Sequence, residues 1–193
     1  MTIGMLFIAS ATGVGMANTI IDNIGDVKQW YRSAIVGDFF VRALMPDMST
    51  GQAADMPDGL GEDILKILGV EHLDTVRLVK ATSGENSIIV LVREFKQQRQ
   101  VYFDLIDGDG DEALRRLPEG AVVVGSVLAQ RAALKLGDMI PLETREGTRQ
   151  LPIVGIANDY LAGGMTIYMH RAVAEKLLDV QGVDAYVIQA NNK

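Results

Sequence analysis

The chain has 193 residues, of which 48% are hydrophobic, and a formal net charge of −7 at neutral pH. A chain of this length and hydrophobic content can bury a core, as one domain or as two small joined ones, which argues against disorder. The negative charge and the lack of a basic stripe disfavour a nucleic-acid partner. The sequence contains no cysteine, which excludes disulfides and thiolate metal sites.

An uncharged run opens the chain, since residues 1–21 include no Asp, Glu, Lys or Arg. As a helix this run would be about 30 Å long, the thickness of the hydrocarbon core of a bilayer. Small residues recur four apart, as in Ala9 with Gly13, a spacing that lets membrane helices approach closely. We therefore predict a membrane helix. The alternatives are a buried soluble helix and a signal peptide, which Ala9-Ser10-Ala11 would suit but which the missing basic end disfavours.

The helical pattern continues beyond the uncharged run. Apolar residues across 20–35 are spaced by three or four, and charged residues lie elsewhere on the helix surface. A membrane helix would continue outward as a stalk, so we predict one N-terminal transmembrane or stalk helix over 1–35. Trp30 and Tyr31 suit either the aromatic belt of a membrane interface or an ordinary core contact.

Several strands and one short helix are predicted over 36–106. Runs of β-branched and aromatic residues bounded by turn residues indicate the strands, and Gly69 is expected to end the helix. A connection rich in Pro, Ser, Thr and Gly separates the first strand from the helix. The predicted elements are a strand at 37–44, the connection at 45–57, the helix at 61–68, and strands at 75–80, 88–95 and 101–105.

The acidic segment Asp107-Gly108-Asp109-Gly110-Asp111 is the best candidate for a metal site, because its alternating carboxylates resemble the start of a calcium loop. A calcium loop also requires a Gly at its sharp turn and a bidentate Glu at its end. Here those positions are Glu112 and Pro118. We therefore favour a plain acidic turn that leads into a helix at 112–117.

The block at 119–159 alternates strands with one helix. The β-branched run at 121–124 predicts a strand, and Ser126 is expected to cap the helix that follows. That helix would end at Gly137, where a glycine can adopt the left-handed conformation of a C-cap. Its apolar side chains repeat at a spacing of four and are Leu128, Ala132 and Leu136.

A hairpin is predicted after this helix. Asp138 can open the turn into a strand at 139–143, and Glu146-Gly147 are expected to make the hairpin turn. The returning strand at 151–157 ends in the polar pair Asn158-Asp159, which is first of all a turn.

The C-terminal part of the chain predicts a β-α-β unit. Its elements are a strand at 166–169, a helix at 171–178 and a strand at 185–189. His170 lies between the first strand and the helix, whereas His72 lies far away in sequence, beside Glu71. Each histidine is more typical of a polar surface residue than of a metal ligand.

Three stretches, taken in order, carry a resemblance to a known family. They are AVVVGSVLAQRAALKLGDMIPL at 121–142, LPIVGIANDY at 151–160, and a Gly pair followed by IYMHRAVAEKLL at 167–178. From about Ala17 onward the chain resembles the MacB-like periplasmic core domain of FtsX-like ABC transporter permeases. The resemblance implies an α+β fold: a porter-like β-α-β layer with an inserted, mostly β sabre-like subdomain, preceded by an N-terminal helix.

The same resemblance implies a division of the chain. A porter-like subdomain would comprise 36–106 and 160–193, and a sabre-like subdomain would comprise 107–159. In this family the extracytoplasmic domain follows directly on a transmembrane helix, which agrees with the prediction for 1–35. Periodicity alone shows compatible strands and helices at both ends of the chain, without the insertion.

The remaining motifs predict no catalytic, cofactor or metal site. Gly120 and Gly125 have the spacing of a phosphate loop, but the required Lys is absent. Ser126 lacks the second Gly of a nucleophile elbow. Asp159 and Tyr160 could act as an acid-base pair, but a turn after the strand is the simpler explanation for a polar residue at this position. We therefore expect no cofactor in this chain, with ATP bound by a separate nucleotide-binding subunit.

Methionines recur along the chain and can adapt their shape to an apolar partner, although filling of the core explains them at least as well. Those considered are Met45, Met48, Met56, Met139, Met165 and Met169.

The leading interpretation is a non-enzymatic protein. By its resemblance the chain would be the extracytoplasmic domain of an ABC transporter permease, on the periplasmic side of the inner (plasma) membrane. It would couple ATP-driven motion to transport or extraction of a hydrophobic or envelope substrate. Its partners would be an ABC ATPase subunit, reached through the rest of the permease, a second permease copy, and an envelope protein or lipid substrate.

Two other classes of function are alternatives. One is a secreted or periplasmic binding module for a lipid or protein ligand. The other is an enzyme that uses Asp107, Asp109 or Asp159, although single carboxylates are often misleading as signs of an active site.

Overall fold

The computed structural model describes residues 2–34, 37–42, 56–57, 59–95 and 102–191. Within these ranges the helices are α1 (Thr2–Ala34), α2 (Leu60–Leu65), α3 (Gly110–Arg116), α4 (Ser126–Arg131) and α5 (Arg171–Leu178), with 3₁₀ turns at Leu117–Glu119 and Leu161–Gly164. The strands are β1 (Phe39–Arg42), β2 (Val70–Ser83), β3 (Asn86–Arg93), β4 (Asp104–Gly108), β5 (Val122–Gly125), β6 (Met139–Thr144), β7 (Gly147–Asn158), β8 (Thr166–His170) and β9 (Ala185–Ala190).

The nine strands found in these ranges form one mixed sheet. Its order is β1-β9-β2-β3-β8-β5-β7-β4, and β6 pairs with β7 outside this path. The β3–β8 and β5–β7 pairs are parallel, whereas the other pairs are antiparallel. The β8-α5-β9 connection passes over β2 and β3, so the predicted β-α-β unit is present with a hairpin between its two strands.

A short ladder joins the two halves of this sheet. β5 pairs with β8 only through Val123 opposite Tyr168 and Val124 opposite Ile167. The strands of 39–93 and 166–190 lie on one side of this ladder, and those of 104–158 lie on the other. The predicted boundaries at 106 and 159 stay predictions, and the structure adds that β4 runs across the first of them.

Alternating side chains of the central strands fill two cores, one on each face of the sheet. Val122 and Val124 lie in the first core, whereas Val123 lies in the second with Tyr168. The first core is covered by α4, α5 and the β6–β7 hairpin, and the second by α3 and three aromatic side chains, Phe95, Tyr102 and Phe103. Both cores contain residues from both halves of the sheet, so the halves share their buried surface.

Helix α2 covers a smaller, third core near the β1 edge. Ile64 of α2 packs with Tyr186 and Ile188 of β9, and Val41 of β1 borders them. This core covers the sheet near the start of β1 and the end of β9.

The α+β fold class is confirmed. The helix at 171–178 matches α5, and the strands predicted beside it match β8 and β9 within one residue. The strand at 37–44 corresponds to β1, while 43–44 and most of the 45–57 connection lie outside the described residues. The strand predicted at 101–105 is misplaced, because β4 begins at Asp104, where it meets the end of β7, and the aromatic residues before it fill the second core.

The helix predicted up to Gly137 ends earlier than expected. α4 ends at Arg131, and Ala133 adopts the left-handed conformation with φ of 52°. The N–H of Leu134 then donates to the carbonyl of Ala129 at 2.8 Å, which is the bond that closes a Schellman motif. An alanine therefore has the role that the sequence assigned to a glycine.

Gly137 and Ser126 do not have their predicted roles. Gly137 lies in the turn before β6, where its N–H donates to the carbonyl of Ile153 at 2.9 Å. The N-cap of α4 is Gly125, and no side chain caps this helix, so the prediction that Ser126 caps it is wrong. Leu136 is 41% exposed because it lies beyond the helix.

The N-terminal helix is confirmed as a helix, since α1 covers almost all of 1–35. Its described apolar side chains are exposed, among them Phe7, Val14 and Ile21. Within the described ranges, no helix is both long enough and apolar enough to cross a membrane. The membrane placement of 1–21 stays a prediction, and the side chains of Trp30 and Tyr31 lie outside what the structure describes.

Replacing Ala133 with Gly is expected to stabilise the protein by about 0.5–1 kcal/mol, because a glycine adopts the left-handed conformation without the strain that a Cβ adds. Urea unfolding measures this change. Ala129→Gly, inside α4, is the matched control and should destabilise by about 1 kcal/mol. If both variants lose stability, the left-handed end of α4 is wrong.

Candidate functional site

The acidic segment begins α3 and forms no metal site in the structure. Asp109 Oδ1 accepts a hydrogen bond from the N–H of Glu112 at 2.8 Å, and Asp109 has the extended backbone of an N-cap. Asp107 lies in β4. Among the described side chains, no three His, Asp or Glu residues are grouped so that they would hold a metal ion.

The two histidines lie at separate places. His170 caps α5, since its Nδ1 accepts a hydrogen bond from the N–H of Ala172 at 3.2 Å. It borders a small cleft of about 300 Å³ that Glu94 and Glu175 also line. His72 lies on β2, with Nε2 3.8 Å from Glu71 Oε1.

Asp159 closes the turn after β7. Its side chain is 5% exposed, and it accepts hydrogen bonds from the N–H of Leu161 at 2.9 Å and from the hydroxyl of Thr166. Both oxygens of the carboxylate are therefore engaged inside the loop, as a turn residue requires. The neighbouring Tyr160 is 41% exposed.

The loop at 159–165 lies directly on the start of α4. A Cβ atom at Gly125 would lie 2.5 Å from the carbonyl oxygen of Gly164, and a Cβ at Gly164 would lie 2.7 Å from Val127 Cγ2. Only glycine permits this approach at both positions. The Gly120 and Gly125 spacing, which resembles a phosphate loop, thus serves close packing at Gly125.

The methionines are divided between core and surface. Met169 is fully buried in the first core, Met165 packs against that core, and Met56 is buried beside α2. Met139 is 48% exposed. Met45 and Met48 lie outside the described residues, so an adaptable surface at these two methionines stays a prediction.

Three arginines hold the α5–β9 loop, which we define as residues 179–184. They approach it from β2, from α5 and from the tip of the β6–β7 hairpin. The contacts are Arg77 Nη1 with Asp184 Oδ1 (2.7 Å), Arg171 Nη2 with the carbonyl of Gly182 (2.6 Å), and Arg145 with Asp179. The loop is therefore tied to both halves of the sheet.

The strength of these ties differs with their exposure. Asp184 is held twice, because its second oxygen also accepts a hydrogen bond from the N–H of Leu78 at 2.7 Å. The Arg145 and Asp179 side chains are 75% and 50% exposed, so their ion pair contributes about 1 kcal/mol or less. The hairpin tip is thus the weakest of the three ties.

An open cleft of about 620 Å³ lies beside the α5–β9 loop. Its walls come from the hairpin tip, the loop, β2 and the segment before α2, namely Met56, Pro57, Arg77, Arg145, Asp179, Gln181 and Gly182. Each of its two arginines is paired with an aspartate, so the charges of the cleft are balanced. A polar, open cleft of this kind suits contact with another surface more than enclosure of an apolar ligand.

A buried ion pair joins β2 to β3 and lies against the segment that precedes β4. Arg93 Nε donates to Asp74 Oδ2 at 3.0 Å, and the two side chains are 5% and 11% exposed. The guanidinium also lies over the ring of Tyr102, 5.1 Å from its centroid. Asp74 further accepts the N–H of Thr75 at 2.8 Å. Sequence reasoning missed this pair, because its members are 19 residues apart and only the strand register brings them together.

Comparison with known proteins identifies the fold through structures alone. No family model matches the sequence, and no curated protein matches it either. The periplasmic region of MacB from Actinobacillus actinomycetemcomitans matches with a TM-score of 0.55 and 9% identity, over 80% of this chain and 74% of that chain. The extracellular domain of the noncanonic ABC-type transporter YknZ from Gram-positive bacteria matches with a TM-score of 0.53 and 14% identity, over 79% of this chain and 82% of that chain.

The chain has the fold of the MacB periplasmic region. The resemblance that the sequence of 121–178 carries is therefore confirmed as a resemblance of fold. Sequence identities of 9% and 14% support a shared fold and nothing more specific. Within the MacB-like fold, Asp109 and His170 cap helices, Asp159 closes a turn and Gly125 permits a close contact, whereas Asp107 and His72 lie on strands.

Replacing Asp74 with Ala is expected to destabilise the protein by about 3 kcal/mol or more, because it leaves the buried Arg93 charge uncompensated. Denaturant unfolding measures the loss. Asp63→Ala, which removes a largely exposed pair with Lys66, is the control and should change stability by less than about 1 kcal/mol. Equal effects of the two variants would contradict the burial of the Asp74 pair.

Replacing Gly125 with Ala is expected to destabilise by about 2–3 kcal/mol, because the new Cβ meets the backbone of the 159–165 loop. Gly110→Ala is the matched control, since its Cβ would meet only Leu105 Cδ1, at 4.0 Å. The control should stay within about 0.5 kcal/mol of the parent in thermal or urea unfolding. A Gly125 variant as stable as the control would show that the loop does not lie on α4.

Proposed function

We propose that this chain is the extracytoplasmic domain of an ABC transporter permease, on the periplasmic or outer side of the membrane. The observation that carries the proposal is the MacB-like fold, which the chain shares with the periplasmic region of MacB and the extracellular domain of YknZ. The proposed role is mechanical: the domain carries ATP-driven motion from the membrane to a hydrophobic or envelope substrate.

The arrangement of the first and last strands supports this role. β1 and β9 are neighbours, and Asp38 binds the end of β9 twice: its N–H donates to the carbonyl of Ile188 and its carboxylate accepts the N–H of Ala190, each at 2.8 Å. The start of β1 and the end of β9 are therefore fixed to each other at one end of the sheet. Displacement applied at this end of the sheet would move the whole body, because a rigid body follows the point at which it is held.

The shared cores support transmission through the body. Residues of both halves of the sheet pack in each of the two large cores, and protein interiors are too densely packed to absorb displacement by sliding. A body of this kind needs no reactive side chain to do its work. We accordingly propose a non-enzymatic domain without a cofactor of its own.

The proposed partners follow from the proposed role. ATP would bind to a separate ATPase subunit, which acts through the rest of the permease, and a second permease copy would complete the transporter. The uncharged part of α1, with exposed side chains such as Phe7 and Val14, would attach the body to the inner (plasma) membrane. The cleft beside the α5–β9 loop is available for contact with an envelope protein or lipid substrate.

Isolation from native membranes in mild detergent tests the proposal. The protein is expected in the membrane fraction together with an ATPase subunit. Recovery in the aqueous fraction without an ATPase would instead favour a binding module for a lipid or protein ligand.

A flexible insertion tests the mechanical role. A short Gly-Ser segment inserted between α1 and Gly37 is expected to lower transport coupled to ATP hydrolysis, because a flexible linker does not transmit displacement. The same insertion in the turn between β2 and β3, at Gly84-Glu85, is the control and should leave coupling unchanged. Transport by the complete, reconstituted transporter is the measurement, and equal transport with both insertions would contradict the mechanical role.

A further inference from the structure

One face of the sheet continues beyond the second core, onto strands β2, β9 and β1. Leu91 of β3 borders that core, and Leu78 of β2 lies opposite Leu91 in the strand register. Opposite residues of paired strands project from the same face, and so do residues two positions apart along one strand. Seven side chains therefore project from this face, which we call the open face: Arg42, Val76, Leu78, Lys80, Ile89, Leu91 and Ala185.

The middle of the open face is apolar and reaches solvent. Leu78 is 43% exposed, and Val76, Ile89 and Ala185 around it are half-buried. Towards β2 the second core ends at Leu91, so the helix and the aromatic side chains that cover this core do not extend over these residues. Partly exposed apolar side chains on neighbouring strands form a continuous strip that a partner can cover.

Two cations lie at opposite sides of the apolar strip. Arg42 of β1 lies at one side and Lys80 of β2 at the other. Both side chains are exposed, and neither forms an ion pair within the described part of the chain. The next residue of β2 on this face is Asp74, whose carboxylate is buried against Arg93. The open face is therefore positively charged, although the chain as a whole has a net charge of −7.

We propose that the open face binds an amphipathic helix of another protein, with carboxylates of that helix paired to Arg42 and Lys80. The face of a sheet is usually covered by helices or by a second sheet. Four strands, about 4.8 Å apart, offer enough width for one helix, which is about 10 Å across. An acidic helix suits this face because complementary charge directs association and suppresses partners of the wrong charge. The proposal goes beyond the proposed function, since it requires neither a membrane nor an ATPase.

The positions of the two cations set the spacing of the carboxylates on the partner helix. Arg42 lies in the same row as Val76, two strands away, and Lys80 lies four residues further along β2. The two positions are therefore about 10 Å apart across the strands and about 13 Å apart along them, or roughly 16 Å in all. Carboxylates eleven residues apart on a helix lie about 16 Å apart on one side of it. Apolar residues four and seven positions after the first carboxylate would then face Val76 and Leu78.

The helices of this chain do not carry that pattern in its described part. α2, α3, α4 and α5 have six to eight residues, too few to hold two carboxylates eleven positions apart. α1 is long enough, but its carboxylates are Asp22 and Asp26, four positions apart. A second copy of the chain therefore offers no fitting helix, which favours a different protein as the partner.

A synthetic helical peptide tests the proposal. The acidic peptide is alanine-rich, with Glu at two positions eleven apart and Leu four and seven positions after the first Glu. The basic peptide has Lys in place of both Glu. Fluorescence anisotropy with the full chain is expected to show that the acidic peptide binds at least about tenfold more tightly than the basic one, because like charges repel at the open face. An acidic peptide that does not bind would overturn the proposal.

Reversal of the two cations shows whether the peptide lies on the open face. The double variant Arg42→Glu with Lys80→Glu is expected to weaken binding of the acidic peptide about tenfold or more and to strengthen binding of the basic peptide. Lys135→Glu with Lys176→Glu makes the same change in net charge at exposed residues elsewhere and is the control. Equal weakening by both double variants would mean that the peptide responds only to net charge and would contradict the proposal.

An apolar truncation tests the strip between the cations. Leu78→Ala is expected to lower affinity for the acidic peptide about fivefold, because less apolar surface is buried on binding. Leu136→Ala is the matched control, since Leu136 is 41% exposed and lies outside the open face, and it should leave the affinity unchanged. Vesicles that contain phosphatidylglycerol provide the last arm. If they displace the acidic peptide from the parent chain and not from the charge-reversed variant, the cations serve a lipid surface and the helix proposal is overturned.

Discussion

The two-residue ladder between β5 and β8 is the constraint on which the rest of the structure depends. It joins one half of the sheet to the other, and the side chains of its residues Val123 and Val124 are buried in the cores on opposite faces. The close approach of Gly125 and Gly164 fixes the chain just beyond this ladder. Because strand pairing and packing meet here, the two halves of the sheet are positioned by the same few residues.

The outer ties follow from this central one. Once β5 and β8 are paired, the β6–β7 hairpin lies over the first face, and its tip reaches the α5–β9 loop through Arg145. On the second face the Arg93 guanidinium joins Asp74 to Tyr102, ahead of β4. The exposed Arg145–Asp179 pair contributes little to stability, whereas breaking the buried Asp74–Arg93 pair would cost much. The stiffness of the body therefore depends mainly on its buried interior. A body held in this way transmits displacement as a unit, which is what the proposed function requires.

Much of the fold was predictable from local patterns, whereas the site was not. Helix α5 and strands β8 and β9 follow from periodicity alone, because their local propensity and their burial agree. The predicted end of α4 was wrong because the helix ends in a Schellman motif around Ala133. Gly137, the stronger local signal for a helix end, lies instead in the turn before β6. The Asp74–Arg93 pair and the three arginines around the α5–β9 loop depend on strand register over long sequence separations, which a single sequence does not encode locally.

Native-state hydrogen exchange across a urea series tests the central claim that the two halves form one body. The account predicts that amides of β3, β5, β7 and β8 exchange with the same free energy of opening and the same dependence on urea, because the halves share both cores. The contradictory result is that the amides of 107–159 open together at a lower free energy while β2, β3 and β9 stay protected. The inserted segment would then be an independent unit, and displacement of the chain at β1 would not reach it.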